Sequence, residues 1–167
     1  MVKIEDLFKI NKEDYCKDYE NHCMKQYEMY VGLMDKTTER RLGCNKFFIS
    51  LNSLLVSIIG IFNFSGVFLN LQIVWLIFAI SFGVVLNVVW ISLLDSYKNL
   101  NNARFHIIHL IEERLPISPF HQEWEYVENE QEDKYSLLSQ NEKNIPWIFI
   151  GLYIILISLG FYQLYCL

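Results

Sequence analysis

A chain of 167 residues that is 53% hydrophobic and 16% aromatic is too short for several domains and too apolar for an ordinary soluble one. Its formal net charge of −5 disfavours a nucleic-acid partner. The first 46 residues are strongly charged and lack an early apolar run, so no secretory signal peptide is expected and a membrane protein is the economical reading.

Residues 1–46 carry nine Lys or Arg and nine Asp or Glu. Within them Tyr15, Tyr19, Cys23, Tyr27, Tyr30 and Met34 recur every three or four positions, which predicts a helix with one aromatic face. Packing against another helix is the expected use of that face, with an aromatic ligand cage as the alternative. Lys36, Arg40, Arg41 and Lys46 gather just before the first apolar run. They form a membrane-surface basic cluster suited to lipid phosphates, each cation being worth about 1 kcal/mol there.

Two apolar runs follow. The first, Phe47 to Phe64, is long enough to span, and the turn around Asn63, Ser65, Gly66 and Asn70 is short enough to make a helical hairpin. The second, Leu71 to Leu94, contains 24 residues without a charge, sixteen of them Leu, Ile, Val or Phe. Its length of about 36 Å crosses a hydrocarbon core of about 30 Å with some tilt. Ser50, Ser53, Ser57 and Gly60 make a small-residue stripe on the first span, and Ala79, Gly83 and Asn87 share a face of the second. Both stripes suit close helix approach, between helices of one protomer or between protomers. A polar pore lined by Ser57 and Asn87 is the functional alternative.

Beyond Asp95, the residues Tyr97, Leu100, Ile107, Ile108, Ile111 and Leu115 predict an amphipathic helix that stops at Pro116. Arg104 falls inside this apolar stripe and requires a partner, so it is the candidate structural ion pair, with Glu20, Asp35 or Glu39 as its expected carboxylate. Pro116 and Pro119 break the chain before an acidic run, Glu123 to Asp133, read as a solvated face. A third span runs from Trp147 to Leu167, with Pro146 expected in its first turn and Trp147, Tyr162 and Tyr165 at the interfaces.

All 14 Lys and Arg lie in residues 1–46 or 95–145. The positive-inside rule therefore puts both segments in the cytoplasm, the N-terminus inward and the C-terminus outward. The expected fold is an all-α membrane protein with three transmembrane helices and a cytoplasmic helical domain built from the N-terminal and middle segments. In chain order these are residues 1–46, the hairpin 47–94, residues 95–145 and the third span 146–167.

His106, His109 and Glu113 share one helix face, but Asn102 shares it too, and a solvated polar side accounts for all four; no metal site is expected. Cys16 and Cys23 read as reduced packing residues, and Cys166 as a lone thiol at the membrane rim. No nucleophile triad, phosphate loop or catalytic carboxylate pair is present, so neither an enzyme nor a cofactor is expected.

The motifs ERRLGCNKFF, WISLLDSYKNLNNARFHIIHLIEERLP, PFHQEWEYV and NEKNIPWIFIGLYI together resemble the RipA-like family of small bacterial integral membrane proteins, over most of residues 28–155. That family has Ser-Gln before the paired arginines, where this chain has Thr38 and Glu39. The resemblance implies an octameric homo-oligomer of the bacterial cytoplasmic (inner) membrane without established catalytic residues. The expected partners are the lipid bilayer, further copies of the chain and a cytoplasmic protein. The function expected is a membrane scaffold with a cytoplasmic docking surface, and the alternative is a channel gated by the cytoplasmic domain.

Overall fold

A computed structural model describes the backbone of residues 7–15, 17–64, 72–130 and 132–166, and the side chains of 7–15, 17–61, 74–127 and 141–162. Among the described residues the chain is all-helical: α1 (Tyr19–Phe64), α2 (Gln72–Glu112), α3 (Pro119–Glu130) and α4 (Glu132–Cys166). Three helices are long and apolar enough to cross a membrane. Residues 65–71, where the hairpin turn is expected, Cys16 and the side chains of Tyr165 and Cys166 lie outside the described residues.

The sequence reading placed separate helices before span one and after span two; the structure fuses each with its span. α1 has 46 residues and α2 has 41, roughly twice what a bilayer crossing needs. The physical reason is composition. Charges at 36–46 and 95–104 mark a change of solvent, but neither junction contains a proline, so nothing in the backbone has to stop the helix there. The α2 helix ends at Glu112, and α3 opens on Pro119, where a missing N–H costs nothing.

Pro146 corrects the reading of the third span. It does not open the helix but sits inside α4, which already begins at Glu132. An interior proline forfeits the hydrogen bond to the carbonyl four residues earlier. That carbonyl belongs to Glu142, in the polar stretch Asn141 to Asn144, so the loss falls at the edge of the apolar run rather than within it.

The chain divides into two units, Met1–Glu39 with Lys98–Glu132, and Arg40–Tyr97 with Asp133–Leu167. The second, apolar unit holds two core clusters. In one, Phe48 stacks on fully buried Trp90 at 5.4 Å between centroids and 6° between planes, beside Leu94 and Phe149. In the other, Ile59, Ile80 and Tyr153 pack together. Much of the remaining apolar surface faces outward, including Ile61, Trp75, Phe78 and Trp147, each at least 60% exposed, as expected of side chains whose solvent is hydrocarbon. The first, charged unit buries Met34, Ile108, Leu110 and Ile111, and its rings Phe105, Phe120 and Trp124 meet at 6.0–6.3 Å.

Candidate functional site

Within the apolar unit, polar side chains converge in the core. Asn52, Asn87 and Tyr153, from α1, α2 and α4, are all completely buried. The Asn87 amide donates to Asn52 Oδ1 at 2.8 Å and to the Gly83 carbonyl at 2.8 Å. The Tyr153 hydroxyl donates to the same Asn52 Oδ1 at 2.8 Å, and the Asn52 amide donates to the Phe48 carbonyl at 2.9 Å. The two backbone carbonyls fix both amide orientations, since flipping either asparagine would set oxygen against oxygen. Asn52 Oδ1 thus uses both lone pairs, one toward each neighbouring helix. Asn87 Oδ1 is buried and has no hydrogen-bond partner among the described residues. One helical step outward, Trp90 Nε1 donates to Asn45 Oδ1 at 2.9 Å.

This geometry separates the two small-residue stripes. Gly83 lies against Tyr153, and Ala79 packs onto the Ile59, Ile80 and Tyr153 cluster, so the stripe on the second span serves contacts within the protomer. Ser50, Ser53 and Ser57 are exposed, and a Cβ placed on Gly60 would meet nothing within 4 Å. Ser57 turns its hydroxyl back to the Ser53 carbonyl at 2.8 Å. The stripe on the first span is therefore open.

At the polar end of the apolar unit, two ion pairs tie α4 to its neighbours: Arg41 Nη2 to Glu142 at 3.5 Å, and Lys143 to Asp95. Arg41 is thereby engaged with protein, while Lys36, Arg40 and Lys46 of the same expected surface cluster are exposed.

The charged unit is organised around a residue that sequence reasoning missed. Glu112 is only 2% exposed, and its carboxylate accepts three hydrogen bonds. The Tyr27 hydroxyl and the Phe120 amide donate to Oε1 at 2.9 and 3.1 Å, and the His121 amide to Oε2 at 2.9 Å. The last residue of α2 therefore caps the first turn of α3, placing a negative charge where the helix leaves N–H groups free. Burial and then the bond to Glu112 push the Tyr27 phenol up to about 12. His109 lies 5.4 Å from His121, edge to face. Burial holds the His109 imidazole below its ordinary value and His121 adds to this, while Glu112 pulls the other way. A sequence signal for Glu112 existed: it falls four residues after Ile108 and next to Ile111 on the apolar stripe, the same anomaly that singled out Arg104.

Arg104 finds neutral partners instead of the expected carboxylates. Its guanidinium donates to the Leu33 carbonyl at 2.6 Å and to the Thr37 hydroxyl, and it belongs to none of the ion pairs among the described residues. Thr37 itself donates to that same carbonyl at 2.8 Å. Glu20 instead bonds Lys12 at 2.5 Å. Because no buried acid is orphaned by losing the cation, Arg104→Met should cost only about 1–2 kcal/mol, read as a small fall in thermal midpoint of the full chain in nanodiscs. A loss as large as that of a broken buried ion pair would show that a carboxylate depends on this guanidinium.

No curated protein and no solved structure matches the chain significantly. The sequence profile of one family matches residues 24–162, which takes in most of α1 and all of α2 and α3, together with the core asparagines, Tyr153 and Glu112. The chain therefore belongs to the octameric membrane protein family (8xMP).

Proposed function

We propose that this protein is a non-enzymatic, homo-oligomeric scaffold of the bacterial cytoplasmic membrane, with the N-terminus inside, the C-terminus outside and the charged unit presented to a cytoplasmic protein. The observation that carries the reading is the fate of Asn87. It is the most polar side chain of the second span and the natural candidate to line a pore, yet it is 0% exposed and spends its donors on Asn52 and Gly83 within one protomer. The apolar runs also contain no Asp, Glu, Lys, Arg or His, the usual marks of ion paths and proton relays. The distribution of Lys and Arg supports the orientation. On the charged unit, Glu123 and Glu125 are exposed beside Trp124 and Tyr126, a combination suited to a basic protein surface.

The channel remains a second reading because of one feature, the exposed hydroxyl stripe Ser50, Ser53 and Ser57, which an assembly could turn toward a lumen. Planar-bilayer recording of the purified oligomer distinguishes the two. The scaffold reading expects no reproducible conductance. Conductance altered by Ser53→Leu or Ser57→Leu, and unaffected by neutralising Glu123 and Glu125, would replace it with the channel.

A further inference from the structure

We infer that the charged unit binds a small aromatic carboxylate in a cleft at the N-terminal end of α1. The aromatic face of that helix has two fates. Tyr27 and Met34 are taken into the packing of the unit, as expected, whereas Tyr15, Tyr19, Cys23 and Tyr30 line an open cleft of about 270 Å³. Pockets for organic ligands begin near 300 Å³, so this volume suits one or two rings rather than a large cofactor.

The walls are flat, apolar and held in place. Phe8, Ile10 and Ile111 supply hydrocarbon surface. Tyr15 meets Tyr19 edge to face at 5.5 Å and is bonded through its hydroxyl to His22 Nδ1 at 2.9 Å. Phe8 is held by the Arg114 guanidinium, 3.9 Å from its ring centroid. Fixed rings of this kind favour another ring sliding between or against them.

Charge decides the ligand's sign. The described lining contains Lys9 and His22 but no Asp or Glu. A quaternary ammonium, the usual guest of an aromatic cage, would face a lysine with no carboxylate among the described lining residues to offset it. A monoanion is complemented instead, and one ammonium without an arginine fork fits a carboxylate better than a phosphate. Gln26 and the hydroxyls of Tyr19 and Tyr30 also line the cleft, and among the described residues none of these groups makes a hydrogen bond, leaving donors for the carboxylate and for a second polar substituent. This inference is independent of the scaffold reading.

Cys23 gives the cleft an internal reporter. The full chain in nanodiscs is treated with iodoacetamide, and the modification rate of each cysteine-containing peptide is followed by mass spectrometry against rising 4-hydroxybenzoate. The expected result is saturable slowing at Cys23 with Cys44 unchanged. Lys9→Gln, a substitution at an exposed position that leaves the core intact, should weaken the apparent affinity about threefold. No protection at about 10 mM ligand would overturn the proposal, since affinity weaker than that is no site. Protection by choline but not by 4-hydroxybenzoate, or an affinity indifferent to Lys9→Gln, would overturn the assignment of an anion.

Discussion

Glu112→Leu is expected to cost the charged unit about 3–5 kcal/mol and to release α3 from α2. Leucine fills most of the volume but accepts nothing, so the Tyr27 hydroxyl and the Phe120 and His121 amides all lose their shared partner, a carboxylate that is itself only 2% exposed. Each orphaned donor costs about 1–3 kcal/mol, and the helix also loses the negative charge at its N-terminus. Glu112→Gln separates these effects. Its carbonyl still accepts at one position, but its NH₂ meets a donor at the other, so about 1–3 kcal/mol should be lost. Hydrogen exchange of residues 119–130 reads the local release directly. In the Gln variant the Tyr27 phenol, now at about 12, should also titrate lower, because burial remains while the carboxylate's charge is gone. Unchanged protection of the α3 amides in the Leu variant would mean that packing of Phe105, Phe120 and Trp124 alone holds that helix.

The same carboxylate shows what the sequence did and did not make legible. Spans are easy to read because hydrocarbon forbids charge, and the described residues of the charge-free runs fall within α1, α2 and α4. Helix continuity is harder, because a run of charges marks a solvent boundary without being a backbone boundary. Arg104 stands out in the sequence as a charge on an apolar stripe, but its partners do not. A backbone carbonyl and a threonine hydroxyl carry no signature in composition, whereas nearby acids do. Glu112 passed unnoticed because the pair Glu112 and Glu113 resembles an ordinary solvated helix end. Only the return of Pro119–His121 against it makes it a cap. Asn52 was hidden differently. It lies between Ser50 and Ser53 in the sequence but on another face, four residues from Phe48 and seven from Ile59, which is the buried one. The small residues Ser50, Ser53 and Ser57 mark the outward side of α1. The asparagine that joins the three helices lay on the inward side.

Gly83→Ala should damage the apolar unit far more than the same change at Gly43, Gly60 or Gly151. A Cβ at position 83 would lie 2.5 Å from Tyr153 Cζ, 2.7 Å from Cε2 and 2.9 Å from the hydroxyl oxygen, all closer than carbon and oxygen atoms tolerate. Although these atoms are the far end of a side chain, Tyr153 is completely buried and its hydroxyl is bonded to Asn52, so the ring cannot swing aside without breaking that bond. Overpacking of this kind costs about 1–3 kcal/mol, and the broken hydrogen bond adds about 0.6 kcal/mol in a membrane interior. Gly60→Ala and Gly151→Ala are the controls: nothing lies within 4 Å of either new methyl, so both should leave the protomer's thermal midpoint unchanged or raise it slightly. A second-site test identifies the contact. Tyr153→Phe removes the oxygen but leaves Cζ and Cε2 in place, so it should not rescue Gly83→Ala. Tyr153→Leu removes the ring and should make the added methyl nearly neutral. The double-mutant cycle would then show a large coupling for Leu and a small one for Phe. Equal coupling in both cycles would assign the clash to the hydroxyl alone, and no coupling in either would show that α2 and α4 do not meet at this glycine.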